Sequence, residues 1–328
     1  MATYKQIYGT NVEVLASDPS NPVEGQIWYN STSQTLKGYA LVAGSWATAG
    51  AMNVSKFASG AAGIQTSALV FGGRDPAASP IASSESYNGT SWTSTPSLNT
   101  SRSYLAGAGA TNTAALAFGG AAPANTGATE SYNGTTWTSS PNSMNTARRI
   151  LSGVGTNTAA LAFGGFTTTQ VGTTESWNGT SWTSSPNSMN TARYNLAGAG
   201  TNTAALAFGG TTPPGNQTES WNGSSWTTLP ATLNTGRSSL AGAGTQTAAL
   251  AFGGAAPTAT GATETWNGTS WTEVNDLNIA RYDPAGAGTN TAAVTMGGTN
   301  SPSNPSALTL ATEEWSGPAV QTVNITVS

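Results

Sequence analysis

Residues 193–226 read RYNLAGAGTNTAALAFGGTTPPGNQTESWNGSSW, and nearly the same phrase returns from Arg102 to Trp137, from Arg148 to Trp182 and from Arg237 to Trp271. Weaker copies run from Lys56 to Trp92 and from Arg281 to Trp315, which makes six. Paired glycines mark the period: Gly72-Gly73, Gly119-Gly120, Gly164-Gly165, Gly209-Gly210, Gly253-Gly254 and Gly297-Gly298 stand 47, 45, 45, 44 and 44 residues apart. A fixed period of this length means a repeat architecture, in which each copy is a supersecondary unit unable to bury its own apolar faces.

Each copy lays out four strands. Leu196 to Gly200 is built of small residues, and Ala204 to Phe208 is an apolar run ending in Gly-Gly. The run is continuous rather than alternating, so both of its faces are expected to be buried. Glu219-Ser220-Trp221 forms the third strand and Trp226 opens the fourth; the Asn222-Gly223 pair between them predicts a type I′ hairpin turn. Six such units predict an all-β fold, a six-bladed β-propeller over residues 46–320. Gly and Ala let the innermost strands converge near the axis. The Tyr or Trp pairs, Tyr87 with Trp92 through Trp266 with Trp271, fill the widening gap outside. The string GSWATAGAMN at 44–53 matches TSWTSTPSLN at 90–99, so the Trp46 strand is expected to complete the unit begun at Arg281. The competing candidate is the C-terminal segment 321–328 with its approach from Val320, where Val323, Ile325 and Val327 alternate.

Composition excludes several function classes. Only 7% of the 328 residues are charged, the net charge is −4, and Lys and Arg number ten. That leaves no electrostatic footprint for nucleic acid or anionic lipid. No stretch of about 18 apolar residues predicts membrane insertion, and MATYKQIYGT lacks the apolar core of a signal peptide. The chain has no Cys and no His, so neither a metal nor a cofactor is expected. Eleven Trp in recurring strand phrases argue against the disorder that a Thr, Ser, Asn and Gly surface could otherwise suggest.

Residues 1–45 stand outside the repeat. Gln26 to Tyr29 and Leu36 to Tyr39 read as a hairpin around Asn30-Ser31-Thr32-Ser33. The string PVEGQIWYNSTSQTLKGY resembles a short segment found near the ends of tailed-bacteriophage virion proteins, which implies an arm that docks on a particle. The repeats resemble the kelch family: Arg148, Gly164-Gly165, Trp177 and Trp182 take the places of its Arg-type start, its Gly-Gly and its spaced aromatics. The NGTSW-type turn is shorter than that family's usual connection. The copies are also unusually alike, residues 138–148 nearly repeating 183–193.

Two charge series follow the repeat. Lys56, Arg102, Arg148, Arg193, Arg237 and Arg281 are basic; Glu85, Glu130, Glu175, Glu219, Glu264 and Glu313 are acidic. Because Arg's planar fork suits a carboxylate, the two series are expected to pair as structural elements. The competing reading, which resemblance to peptide-binding kelch domains implies, makes the basic residues a ring that grips an acidic ligand. A catalytic site breaks symmetry and these series do not, so no enzyme is expected. A propeller glycosidase would need a poised carboxylate pair. Residues 176–182 match the structural box of sialidases poorly, one residue short and with Asn for Asp. The Asn-x-Ser/Thr sequons at Asn88, Asn133, Asn178, Asn222 and Asn267 are explained by turn chemistry.

The copies differ in the loops that follow Gly-Gly, which in repeat proteins often form the binding face. Arg74, Asp75, Phe166, Gln170, Pro213, Pro214, Asn216, Asn300 and Asn304 are the individual features there. The expected function is a non-enzymatic component of a tailed-phage virion, either a tail-associated adhesin or a capsid appendage. It would be made in the host cytoplasm and carried on the extracellular particle. Its partners would be other virion proteins through the hairpin, and a host-surface glycan or protein through the loops. The alternative is a cellular kelch-type interaction module.

Overall fold

The computed structural model describes residues 12–300 and 309–326. Among these residues every helix or strand is a β-strand, and the strands form seven four-stranded sheets. Two compact units divide at Gly44/Ser45 and at Ser316/Gly317.

The first unit is one sheet. Strand β1 (Glu13–Leu15) runs parallel to β2 (Ile27–Asn30), β2 pairs antiparallel with β3 (Thr35–Val42), and β28 (Ala319–Asn324) lies on the far side of β3. The expected hairpin is therefore the middle of a larger sheet, and the C-terminal segment as far as Ile325 pairs with β3 and Leu36, while Val327 lies outside the described residues. Asp18 organises this unit, accepting hydrogen bonds from Trp28 Nε1 at 3.1 Å, Asn30 Nδ2 at 2.7 Å and Lys37 Nζ at 2.7 Å. The Lys37 bond, joined by those of Asn30 and Trp28, holds its carboxyl down to about 2.

The second unit holds six sheets. Strand β4 (Ser45–Ala49) comes first. The first sheet is β5 (Gly60–Ile64), β6 (Ser67–Phe71), β7 (Ser84–Tyr87) and β8 (Trp92–Thr95). The second is β9 (Ala106–Thr111), β10 (Ala114–Phe118), β11 (Thr129–Tyr132) and β12 (Trp137–Ser139). The third is β13 (Ser152–Gly155), β14 (Ala160–Phe163), β15 (Thr174–Trp177) and β16 (Trp182–Ser184). The fourth is β17 (Ala197–Gly200), β18 (Ala205–Phe208), β19 (Thr218–Trp221) and β20 (Trp226–Leu229). The fifth is β21 (Ala241–Gly244), β22 (Ala249–Phe252), β23 (Thr263–Trp266) and β24 (Trp271–Val274). The last is β25 (Ala285–Gly288), β26 (Ala292–Met296) and β27 (Thr312–Ser316), completed by β4 with Trp46 opposite Trp315.

Small residues decide how closely the sheets approach. Strand β5 lies beside β9, β9 beside β13, β13 beside β17, β17 beside β21, β21 beside β25, and β25 beside β5. At Gly198 a Cβ would stand 2.5 Å from Phe163 Cζ of the preceding sheet, so only glycine leaves room for that ring. Just before each of these strands one residue adopts a left-handed backbone: Ala58, Tyr104, Ile150, Asn195, Ser239 and Asp283, with φ from 50° to 58°. Their amides form a closed cycle. Tyr104 donates to the carbonyl of Ala58, Ile150 to Tyr104, Asn195 to Ile150, Ser239 to Asn195, Asp283 to Ser239 and Ala58 to Asp283, at 2.8–3.2 Å.

Aromatic residues seal the seams between sheets. Phe163 meets Trp226 of the next sheet at 5.0 Å between ring centroids, and Phe208 meets Trp271 at 4.9 Å. The indole N–H then crosses the seam: Trp182 donates to Thr129 Oγ1 at 2.9 Å, Trp226 to Thr174 at 2.9 Å, and Trp271 to Thr218 at 3.0 Å. The outer hairpins depart from the type I′ expectation. Four residues separate Trp221 from its partner Trp226, and Gly223 has φ 93° while Asn222 stays out of the left-handed region. The cause is the Asn222 side chain, whose Oδ1 accepts the Ser224 and Ser225 amides at 2.9 Å and so builds an Asx turn.

One seam lacks its bond. The threonine position is Ser84 in the first sheet, and both Ser84 Oγ and Trp137 Nε1 are buried without a hydrogen-bond partner. A threonine's γ-methyl restricts χ1, whereas serine is free to turn its hydroxyl away. Ser84→Thr is expected to restore the Trp137 bond and stabilise the protein by about 1 kcal/mol, raising Tm by about 2–4 °C in a thermal melt.

Candidate functional site

Both charge series lie inside the sheets. Arg148 Nη1 is 2.7 Å from Glu175 Oε1, Arg102 Nη2 2.9 Å from Glu130, Arg193 Nη2 3.3 Å from Glu219, and Lys56 Nζ 3.3 Å from Glu85. Arg237 and Arg281 stand 2.5 Å from Glu264 and Glu313. Every one of these side chains is at most 2% exposed, so none can meet a ligand at the surface. Each glutamate also gathers backbone. Glu219 accepts the Asn190 amide at 2.7 Å and the Thr191 amide at 3.3 Å, while Asn190 Nδ2 donates to Trp226 O at 3.1 Å. Burial pulls the Lys56 ammonium and the Arg102, Arg148, Arg193 and Arg281 guanidiniums below their ordinary values, and the paired glutamates push back.

Removing one partner leaves the other charge buried and alone. Arg193→Ala is therefore expected to destabilise the protein by about 3–5 kcal/mol in chemical denaturation. Arg193→Met combined with Glu219→Gln, which removes both charges but keeps an acceptor for the Asn190 amide, should recover most of that loss.

The loop candidates separate by role. Arg74 is half-buried, with its guanidinium 4.8 Å from the centre of the Tyr104 ring and Nε donating to Ser103 Oγ at 3.3 Å. Asp75 is absorbed by its own turn, accepting the Ala77 and Ser79 amides at 2.9 Å. Phe166 is half-buried, edge-on to Tyr194 at 5.3 Å, with the Arg149 guanidinium 5.2 Å above its ring. Gln170 is exposed and bridges the Phe166 backbone. Pro213, Pro214 and Asn300 are exposed, and Asn216 Nδ2 reaches Thr232 Oγ1 at 3.3 Å. Asn304 lies outside the described residues.

Arg74 and Phe166 lead to a feature that the sequence reading passed over. The six left-handed residues of the amide cycle line a depression of about 100 Å³. Their side chains differ from copy to copy, as Ala58, Tyr104, Ile150, Asn195, Ser239 and Asp283, while the Arg or Lys two residues earlier is constant. The loops after Gly-Gly reach the same end of the unit, since Phe57 bridges Arg74 and Arg149 bridges Phe166. Comparing the six copies column by column would have revealed this place: the second residue after the constant cation is different in all of them.

The electrostatics of the mouth couple its members. Burial raises the Tyr104 hydroxyl, the Asp283 charge raises it further, and Arg74 and Arg149 oppose both. Tyr282 is pushed up to about 12 by burial, then by Asp283 and Tyr104. Asp283 itself is carried by burial from 3.8 up to about 6, against a Ser239 hydrogen bond and the pull of Arg74. The folded protein thus holds this proton at pH values where the unfolded chain has released it. Its contribution is most favourable below 3.8 and is lost as pH rises through about 6. Asp283→Asn should accordingly raise Tm at about pH 7.5 and leave it near the parent's below about pH 4, read from melts across that range.

Among the described residues no three His, Cys, Asp or Glu side chains converge as a metal site. No protein-family model matches the chain, and no curated protein matches its sequence.

Proposed function

We propose that this chain is a non-enzymatic binding component of a tailed-phage particle, a six-bladed kelch-like β-propeller carried by the arm of residues 1–45. The amide cycle, which returns to its start after six steps, supports the six-bladed closed ring, with β4 as the outer strand of the last blade. The role in binding rests on one observation. Copies that are otherwise nearly identical diverge at the mouth and loops of a single face, where binding residues of repeat proteins gather. Against catalysis stands the engagement of all six series glutamates in buried ion pairs, which leaves them no access to a substrate. The phage assignment draws on the resemblance of the 22–39 string, and the separate first unit supplies a body that could dock on a particle.

The test is proteomics of purified particles from the producing host, with immunogold labelling on intact virions. The protein is expected among the particle proteins, labelled on head or tail. Its absence from particles, or turnover of a polysaccharide by the purified chain, would overturn the proposal.

A further inference from the structure

The mouth of the amide cycle carries three features that packing does not require. The first is where the copies diverge. Elsewhere each repeats a buried cation–glutamate pair and a small-residue strand, and the first five share the Asx turn, yet at the left-handed position no two agree. The second is strain. Tyr104 at φ 56° and Ile150 at φ 58° hold a bulky and a β-branched side chain where glycine would be most at ease. A side chain kept at such a place points to a use for it.

The third is charge. Of the seven arginines, five belong to buried ion pairs, and the other two, Arg74 and Arg149, both act on Tyr104. Neither has a carboxylate within ion-pairing distance among the described residues: Arg74 lies over Tyr104 and gives its Nε to Ser103 Oγ, and Arg149 lies over Phe166 with Nη1 donating to Asn125 Oδ1 at 3.1 Å. Arg74 covers Tyr104 and Arg149 precedes Ile150, both of which line the depression with Asp283, so this end of the unit has a surplus of one positive charge.

We propose that this mouth binds a carboxylate-bearing saccharide, its carboxylate held between Arg74 and Arg149 and its hydroxyls meeting Asn195, Ser239 and Asp283. Guanidinium forks suit a carboxylate, and two of them facing one acid leave charge for a single anionic group. A polyanion such as a nucleic acid would need a longer run of cations. An acidic peptide would need an extended groove with backbone partners. The depression is instead compact, at about 100 Å³, with an amide, a hydroxyl and a carboxylate from successive sheets around it. That alternation of donors and acceptors complements a polyol. The proposal rests on the loop-bearing face being the binding face.

The experiment is titration calorimetry of the full chain against oligosaccharides of galacturonic, glucuronic, mannuronic and sialic acids, each beside its methyl ester. At least one acid should bind, and its ester should bind about tenfold more weakly or worse. Arg74→Ala with Arg149→Ala should abolish binding, and the Lys counterparts, which keep the charge and guard against a folding defect, should retain part of it. Asp283→Asn, which removes the opposing charge, should tighten binding at neutral pH. Equal binding of an acid and its ester, silence across the whole panel, or binding of hexaglutamate with every sugar silent would each overturn the proposal. Particle proteomics reads the broader assignment separately, so a mouth that binds no sugar on a protein present in virions refutes this inference alone.

Discussion

The buried pair of a cation and a glutamate fixes how the chain crosses from one sheet to the next. Glu219 holds Arg193 and the amides of Asn190 and Thr191 at once, so the segment leaving β16 is fastened to β19 before it turns into β17. Two residues after the cation comes the left-handed residue, and two residues further the small-residue strand begins. A crossing held this firmly sets the direction in which the next sheet's first strand begins. The pairing also has a cost. Arg102, Arg148, Arg193 and Arg237 each keep a buried Nε without a hydrogen bond, whereas Arg281 gives its Nε to the Ile279 carbonyl. Ion pairs this deep contribute geometry more surely than net stability.

Two kinds of contact then divide the labour between sheets. Between the small-residue strands backbone meets backbone, and Gly and Ala permit it. Elsewhere along the seams Phe and Trp rings fill the space, and a Trp-to-Thr hydrogen bond crosses every seam but the one at Ser84. The last sheet varies the scheme, with Met296 in the place of the phenylalanine and packed in the same cluster as Trp92. A flexible thioether fits a site where the neighbouring copies are least alike.

The strands and their order were legible because repetition averages out local ambiguity: a four-residue run such as ALAF is weak evidence once and strong evidence when it or a near variant stands directly before Gly-Gly in all six copies. The match of Trp46 to Trp92 likewise revealed the strand completing the last sheet, since an isolated outer strand must find an edge. The hairpins were misread because Asn-Gly is a signal about backbone preference, while here the Asn222 side chain forms the turn. The mouth was overlooked for a related reason. Tyr104, Arg149 and Asp283 sit beside the constant cations in sequence but take no part in their ion pairs, and attention to what recurs hides what differs. Arg74 and Phe166 stood out only because the loops that hold them differ between copies.

Ser45 and Ser316 are cross-strand partners, so the chain enters and leaves the six-sheet unit at two points about 5 Å apart. The first unit is interrupted at that doorway, with β3 before it and β28 after it. In effect the repeats are an insertion within a smaller host sheet. During synthesis, which releases the N-terminal side first, the arm can form β1, β2 and β3 early but must wait for the whole insertion to emerge before β28 arrives. Completion of the arm thus reports that translation has passed the final repeat, and a chain cut short inside the repeats leaves β3 with an open edge.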